Sequence, residues 1–177
     1  MITKLDKISP IVIFGSSRKR GNTWEATQMV LQDQVVPIVN LNDIDISAFD
    51  YEYKNQGDDF LSLAEEMVKH NQIIIATPIY WYTMSAIMKT FIDRWSDFIT
   101  HKKDLGRRMR GKNLYIVTSY AVYPEGKKGF EAIFKQTAEY MGMKYGGCFF
   151  HYSGEDISIS QKNSKVADKF AKKIFGK

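Results

Sequence analysis

The chain has 177 residues, of which 44% are hydrophobic and 25% are charged, which is ordinary composition for a globular protein. This length predicts one domain over residues 1–177. No apolar run reaches the ~18 residues that a membrane span needs, so we expect no membrane partner. The chain has one cysteine, Cys148, which excludes an internal disulfide and predicts a buried, inert thiol in a cytoplasmic protein.

The net charge of +5 arises mainly from two basic segments. In the tail, residues 165–177, apolar side chains recur at helical spacing and lysines occupy the other faces. This pattern indicates a solvated helix and no nucleic-acid partner. We interpret the second segment, residues 102–112, as a solvated loop. The alternative is that it attracts an anionic nicotinamide dinucleotide.

Hydrophobic periodicity predicts strands and helices in regular alternation along the chain. In chain order, the predicted elements are a strand at about 10–15, a helix at about 23–33, a strand at about 35–40, a helix at about 59–70, a strand at about 72–77, a helix at about 84–99, a strand at about 112–119, a helix at about 127–141, a strand at about 143–152 and the basic helix. Pro37 lacks an N–H group, so strand two is predicted at an edge. The predicted fold class is α/β: a doubly wound five-stranded parallel sheet of order 2-1-3-4-5 with helices on both faces.

The loop after the first strand is predicted to bind a phosphate. Its sequence is Gly15-Ser16-Ser17-Arg18-Lys19-Arg20-Gly21-Asn22-Thr23. The free N–H groups at a helix start carry about half a positive charge, Ser16, Ser17 and Thr23 offer hydroxyl donors, and Arg18 can hold two phosphate oxygens. The loop matches neither a Walker loop nor the dinucleotide fingerprint. The alternative is an ordinary loop before a helix that Asn22 caps, with Glu25 three residues on.

Two further loops are predicted at the same edge of the sheet. After the third strand comes Thr77-Pro78-Ile79-Tyr80-Trp81-Tyr82, where the amides of residues 79–82 are expected to donate to a flat heterocycle. Thr83 or Ser85 is predicted to cap the next helix. After the fourth strand, Ser119 and Tyr120 are expected to reach the polar edge of such a ring, and Tyr123 to cover one face.

The predicted third helix has an unusually wide apolar face that includes Phe91, Trp95 and Phe98. It admits two interpretations. The helix lies deep in its own core, or a second subunit covers these aromatic side chains in a homodimer. We favour the second, with Lys89, Asp93 and Arg94 facing solvent or the partner.

Two motifs together resemble the NAD(P)H-dependent FMN reductases, over nearly the whole chain. They are Gly-Ser-x-Arg-x-x-Gly-Asn-Thr after the first strand and Thr-Pro-x-Tyr-Trp-Tyr-x-Met-Ser-x-x-x-Lys-x-x-x-Asp-Arg at 77–94. The resemblance implies a flavodoxin-like fold and an assembly of dimers or dimers of dimers. It also implies that the FMN phosphate is held by Ser16, Arg18, Asn22 and Thr23, and that the isoalloxazine contacts Pro78, Ile79, Tyr80, Trp81 and Tyr82, with Ser119 and Tyr120 at its polar edge. Some relatives hold an iron–sulfur cluster near 47–57, but this segment has no cysteine, and a cluster needs about four.

The function expected from these residues is FMN-dependent NAD(P)H oxidoreductase activity towards a flavin, a quinone or a similar aromatic acceptor. The flavin itself performs the hydride chemistry, so no catalytic side chain and no metal ligand are predicted. NADPH or NADH serves as the reductant, and the acceptor is a small molecule. The alternative is a flavodoxin-type electron carrier without pyridine-nucleotide activity, against which the net charge of +5 argues because such carriers are usually acidic.

Overall fold

A computed structural model describes residues 10–122 and 126–176 of the chain. Its strands are Ile11–Phe14 (β1), Ile38–Asn40 (β2), Gln72–Ala76 (β3), Asn113–Tyr120 (β4) and Lys144–Tyr152 (β5). They pair in parallel in the order β2-β1-β3-β4-β5. The predicted doubly wound parallel sheet is therefore confirmed, including the edge position of the strand that follows Pro37.

Helices connect the strands. The α-helices of the described residues are Asn22–Leu31 (α1), Phe60–Met67 (α2), Ala86–Asp93 (α3), Lys103–Met109 (α4), Lys127–Tyr140 (α5), Ile157–Ser160 (α6) and Asn163–Phe175 (α7). The predicted helix at 84–99 begins later, at Ala86, and continues beyond Asp93 as a 3₁₀ helix, Arg94–Phe98. Each of these helices is too short or too polar to cross a membrane.

The sheet is covered on both faces because successive side chains of each strand point to opposite sides. In β1, Ile11 and Ile13 join a core that includes side chains of α2, α3 and α5. Val12 and Phe14 join a second core with side chains of α1 and α7. Each fully buried side chain of this size contributes roughly 1.5–3 kcal/mol to the free energy of folding. The two cores therefore stabilise the strands whose carboxyl ends carry the predicted binding loops.

The aromatic face of the third helix lies inside the chain's own core. Phe91, Trp95 and Phe98 are at most 3% exposed, and the ring centroids of Phe91 and Phe98 lie 6.0 and 5.5 Å from that of Phe60 in α2. Helix α4 also packs here, because Gly106 has no side chain and a Cβ there would lie 2.3 Å from the Phe98 carbonyl oxygen. The expectation that a second subunit covers these three rings was wrong, since the single chain already buries all three.

Arg94 is also buried, contrary to the expectation that it faces solvent or a partner. Its side chain is fully buried, and its Nε donates to Asp97 Oδ2 at 3.0 Å. Its Nη1 donates to the Ser47 carbonyl at 3.2 Å and to the Asp58 carboxylate. One guanidinium thus joins the end of α3 to the connection between β2 and α2, and it is paired with two carboxylates.

The basic segment at 102–112 forms a helix, α4, where we expected a loop. It precedes β4 and lies at the amino end of that strand. The three predicted binding loops lie at the opposite, carboxyl edge. Because each strand residue advances about 3.3 Å, the eight residues of β4 separate the two. This position argues against a role in attracting a dinucleotide.

Lys112, at the end of this segment, is buried and caps a helix. Its Nζ donates to the carbonyls of Val68 at 2.9 Å and His70 at 2.6 Å, just beyond the C-terminus of α2. The ammonium thereby meets the negative end of the helix dipole. Burial lowers the pKa of Lys112, with Arg108 adding to the effect.

We predict that Lys112→Met destabilises the protein by about 1.5–3 kcal/mol, because two buried carbonyls lose a charged donor. Urea unfolding followed by circular dichroism measures this change. The control is Lys103→Met on the exposed side of α4, which should change the free energy of unfolding by less than about 0.5 kcal/mol. Equal effects of the two substitutions would contradict the capping role.

Candidate functional site

A cavity of about 630 Å³ opens at the carboxyl edge of the sheet, between the loops that follow β1, β3 and β4. The eleven residues that the resemblance assigns to cofactor binding all line it: Ser16, Arg18, Asn22, Thr23, Pro78, Ile79, Tyr80, Trp81, Tyr82, Ser119 and Tyr120. Gly21, Ala121, Val122 and Ser153 complete the lining and were not nominated. Tyr123 lies outside the described residues. The cavity has the size of a typical small-molecule site.

The first wall is the N-terminus of α1 and the loop before it. The N-cap residue is Gly21, which is extended and has no side chain to cap the helix, so the alternative in which Asn22 caps it was wrong. The first N–H groups of α1 therefore remain available at the cavity. Arg18 beside them is exposed and forms no ion pair within residues 10–122 and 126–176. An uncapped helix start beside a free guanidinium is suited to bind an anion.

Hydrogen bonds hold this wall against its neighbours. The hydroxyls of Thr23 and Ser119, both buried, lie 2.8 Å apart, which joins α1 to the end of β4. Asn42 Nδ2 donates to the Ser16 carbonyl at 2.7 Å. The sequence analysis missed Asn42, because nothing in the sequence places the residues after β2 against the loop after β1.

The second wall is a tight turn after β3. Tyr80 and Thr83 exchange two backbone hydrogen bonds of 2.9 and 3.0 Å. Between them, Trp81 and Tyr82 have φ angles of 48° and 67°, so both central residues are left-handed, as a type I′ turn requires. Such a conformation costs about 1–3 kcal/mol for each non-glycine residue. The bulky pair is therefore held in a strained backbone at the edge of the cavity.

The amides of this turn differ from the expectation that all four of residues 79–82 are free. The Ile79 amide donates to the Ser119 carbonyl at 3.0 Å, and the Tyr80 amide donates to Thr83. The amides of Trp81 and Tyr82 have no backbone acceptor in the described part of the chain. Two donors, not four, are thus available to a ligand.

Side chains anchor the turn on both sides. The Tyr80 hydroxyl lies 2.7 Å from that of Ser17, so Ser17 bonds the turn and does not line the cavity. On the other side, the Tyr82 ring lies against Gly126, where a Cβ would come within 2.6 Å of the Tyr82 Cδ1. The turn therefore bridges the loop after β1 and the start of α5.

Tyr120 forms part of the third wall and is nearly buried. Its hydroxyl accepts a hydrogen bond from Lys127 Nζ, which also lies 4.2 Å from the centre of the Tyr120 ring. The expected contact of Tyr120 with a heterocycle edge therefore competes with Lys127. Lys127 was not predicted as part of the site, because nothing in the sequence places its side chain against Tyr120.

His151 lies beside Ser119 in the sheet, because the two residues are paired in the register of β4 and β5. It is buried, and its Nε2 is 3.9 Å from the Glu25 carboxylate. Burial lowers the pKa of His151, and the Glu25 carboxylate opposes this effect only in part. The imidazole behind Ser119 is therefore neutral at pH 7.

Ser85 connects the first two walls of the cavity through buried hydrogen bonds. Its hydroxyl donates to the Gly15 carbonyl at 2.7 Å and lies 3.2 Å from the Thr77 hydroxyl, and its amide donates to Thr77 Oγ1 at 3.1 Å. It also accepts from the Met88 amide at 3.4 Å, which confirms Ser85 as the helix cap. One buried side chain thus fixes β1, β3 and α3 relative to one another.

The comparisons with known proteins agree with this architecture. A family model described as the flavodoxin-like fold matches residues 13–174. Over 146 residues the chain is 31% identical to "Putative NAD(P)H-dependent FMN-containing oxidoreductase YwqN" of Bacillus subtilis (strain 168), covering 77% of this chain and 80% of that protein. Also over 146 residues, it is 25% identical to "Uncharacterized NAD(P)H oxidoreductase YdeQ" of the same organism, covering 76% and 74%. The solved Trp repressor binding protein from Bacillus subtilis has a TM-score of 0.72 at 21% identity, covering 93% and 96%, and this likeness concerns the fold alone.

We predict that Ser85→Ala lowers the free energy of unfolding by about 1–3 kcal/mol, because it leaves buried groups of Gly15 and Thr77 without their partner. Chemical denaturation measures the effect. Ser164→Ala, an exposed position in α7, serves as the control and should be close to neutral. A Ser85→Ala protein as stable as the wild type would contradict the connecting role.

Proposed function

The chain belongs to the family with the flavodoxin-like fold, and we propose that it is an oxidoreductase that transfers hydride from NADH or NADPH through FMN to a small-molecule acceptor. Its curated relatives YwqN and YdeQ carry NAD(P)H oxidoreductase names, and that of YwqN includes FMN. The observation that carries the proposal is the juxtaposition of an uncapped helix start and Arg18 with the aromatic turn in one cavity.

The donors around the cavity fit both ends of FMN. A phosphate dianion would be held by Arg18, by the free amides at the start of α1 and by the hydroxyls of Ser16 and Thr23. The free amides of Trp81 and Tyr82 would donate to the carbonyl and nitrogen edge of the isoalloxazine. Asn22, Pro78, Ile79, Tyr80, Ser119 and Tyr120 would complete the walls around it.

The protein's own residues bind and orient, and they take no covalent part in the reaction. FMN, when bound, supplies the two-electron chemistry. The turn amides stabilise negative charge at the ring edge at no reorganisation cost, because Ser17 and Gly126 already hold the turn in place.

We propose a flavin, a quinone or a similar aromatic compound as the acceptor, because aromatic side chains dominate the turn at the cavity. The alternative function, a flavodoxin-type electron carrier, is less well supported. An electron carrier does not account for the oxidoreductase names of the two relatives. Such carriers are also usually acidic, whereas this chain has a net charge of +5.

We also propose that the protein acts in the cytoplasm as a homodimer or a dimer of dimers. The buried aromatic rings of α3 no longer support the dimer, but a neighbouring surface does. An apolar groove of about 450 Å³ lies between the end of α3 and α5. Tyr140 and Ile99 line it and are 75% and 44% exposed. Apolar side chains around a groove are typical of an interface.

We predict that Arg18→Ala weakens FMN binding by about 1.5–3 kcal/mol, through loss of a charged donor to the phosphate. Flavin fluorescence titration measures the dissociation constant. Arg20→Ala, in the same loop but outside the cavity, is the control and should bind FMN nearly as well as the wild type. Riboflavin, which lacks the phosphate, should bind Arg18→Ala and wild type equally. An unchanged FMN dissociation constant in Arg18→Ala would remove this part of the proposal.

We predict that Ile99→Glu raises the dimer dissociation constant at least tenfold, because it places a charge in the apolar groove. Sedimentation velocity over a micromolar concentration series measures the association. Val166→Glu introduces the same charge at a similarly exposed position of α7 and should not change it. A wild-type protein that is monomeric at these concentrations would refute the dimer.

A further inference from the structure

Trp81 has the most exposed aromatic ring at the cavity. Its side chain is 94% exposed, while Tyr82 next to it is 66% exposed and Tyr80 is 42% exposed. Trp81 nevertheless belongs to the cavity lining, so its indole stands at the mouth. A single exposed apolar side chain needs no explanation by itself. The positive φ angle of Trp81, in contrast, requires an explanation.

Packing of the Trp81 side chain does not offset the strain of its backbone. A type I′ turn favours Asn and Gly at its two central positions, which Trp81 and Tyr82 occupy here with positive φ. Tyr80 and Tyr82 each contact the rest of the chain, at Ser17 and at Gly126. For Trp81, the described residues provide no hydrogen bond and no aromatic partner. Strained, unpacked residues of this kind concentrate at ligand-binding positions.

The surroundings of the indole define what can bind it. Apart from Trp81, the most exposed large apolar side chains of the cavity lining are Tyr82 and Val122, which is 82% exposed, and both are uncharged. The cavity's cationic side chain, Arg18, belongs to the wall at the start of α1. A flat indole with uncharged apolar neighbours favours a neutral, planar aromatic molecule, which it can cover by offset stacking.

We propose that Trp81 is a specificity-determining residue that stacks on a neutral, planar aromatic electron acceptor of the quinone class. This inference rests on the proposed function. It separates the two parts of the turn: the amides of Trp81 and Tyr82 serve the cofactor, and the indole selects the acceptor. In each turnover one NAD(P)H is oxidised to NAD(P)⁺ and, with one proton from solvent, one quinone is reduced to the hydroquinone.

The test uses the FMN-loaded protein and three variants. Trp81→Asn removes the indole but keeps a residue that tolerates the left-handed backbone. Trp81→Phe keeps a stacking surface. Tyr51→Asn is the matched control, because it removes a similarly exposed ring, 84% exposed, that does not line the cavity. The kinetic readout is the ratio of kcat/KM for 2-methyl-1,4-naphthoquinone to kcat/KM for ferricyanide. Ferricyanide is not planar, so losses common to both acceptors cancel in the ratio.

A second readout needs no turnover. The oxidised, FMN-loaded protein is titrated with the same naphthoquinone in a calorimeter, without NADH or NADPH. In Trp81→Asn we expect the kinetic ratio to fall about tenfold and the naphthoquinone dissociation constant to rise about tenfold. Trp81→Phe and Tyr51→Asn should stay within about threefold of the wild type in both readouts.

Unchanged values in Trp81→Asn for both readouts would overturn the inference. A Trp81→Asn protein that loses FMN affinity while keeping the wild-type kinetic ratio would also overturn it, because the indole would then hold the cofactor. The proposed function fails separately, if the wild-type protein binds FMN but oxidises neither NADH nor NADPH with any acceptor. In that case the calorimetric titration still decides whether Trp81 binds the planar aromatic molecule.

Discussion

The hydrogen bonds of the Ser85 hydroxyl are the interaction on which the geometry of the candidate site depends. Parallel strands bring the ends of β1 and β3 side by side, but they leave open how the following loops are oriented. The bond from Ser85 to the Gly15 carbonyl fixes the first loop, and its bonds with Thr77 fix the second. A side chain at Gly15 would crowd α3, since a Cβ would lie 2.9 Å from Met88 Cε and 3.2 Å from Met88 Cβ. The two walls of the cavity are therefore positioned by one buried side chain and one glycine.

The sheet could be predicted from sequence because its signal is local. Short branched runs, the edge proline and regular spacing are sufficient to predict five strands and their order. Helix α4 could not be predicted in this way. Most of Lys103–Met109 is polar or basic, and Gly106, which allows the close approach to Phe98, reads as a helix breaker. The mistake about the aromatic face that includes Phe91, Trp95 and Phe98 followed in part from this, because the cover that α4 gives to Phe98 was missing from the prediction.

At the candidate site, the chemistry of the loops could be predicted and their mutual bonds could not. Serine, threonine, arginine and glycine after a strand indicate an anion site wherever the loop lies. The contacts of Ser17 with Tyr80 and of Lys127 with Tyr120 depend on how distant segments meet, and no local pattern encodes this. The left-handed backbone of Trp81 and Tyr82 runs against the preferences of both residues, so sequence reasoning assigned all four amides of residues 79–82 to the ligand.

The buried guanidinium of Arg94 has a consequence for how the family can diverge. Asp58 and Asp97, nearly forty positions apart, both form ion pairs with it, and the three side chains are at most 3% exposed. Loss of Arg94 leaves two buried carboxylates without their cation, and loss of either aspartate leaves part of the buried guanidinium without its acceptor, whereas joint replacement by apolar residues of similar volume can be neutral. Substitutions at these positions should therefore be inherited together. Covariation of residues 58, 94 and 97 across homologues would show that a substitution at one of these positions is tolerated only when the other two change with it.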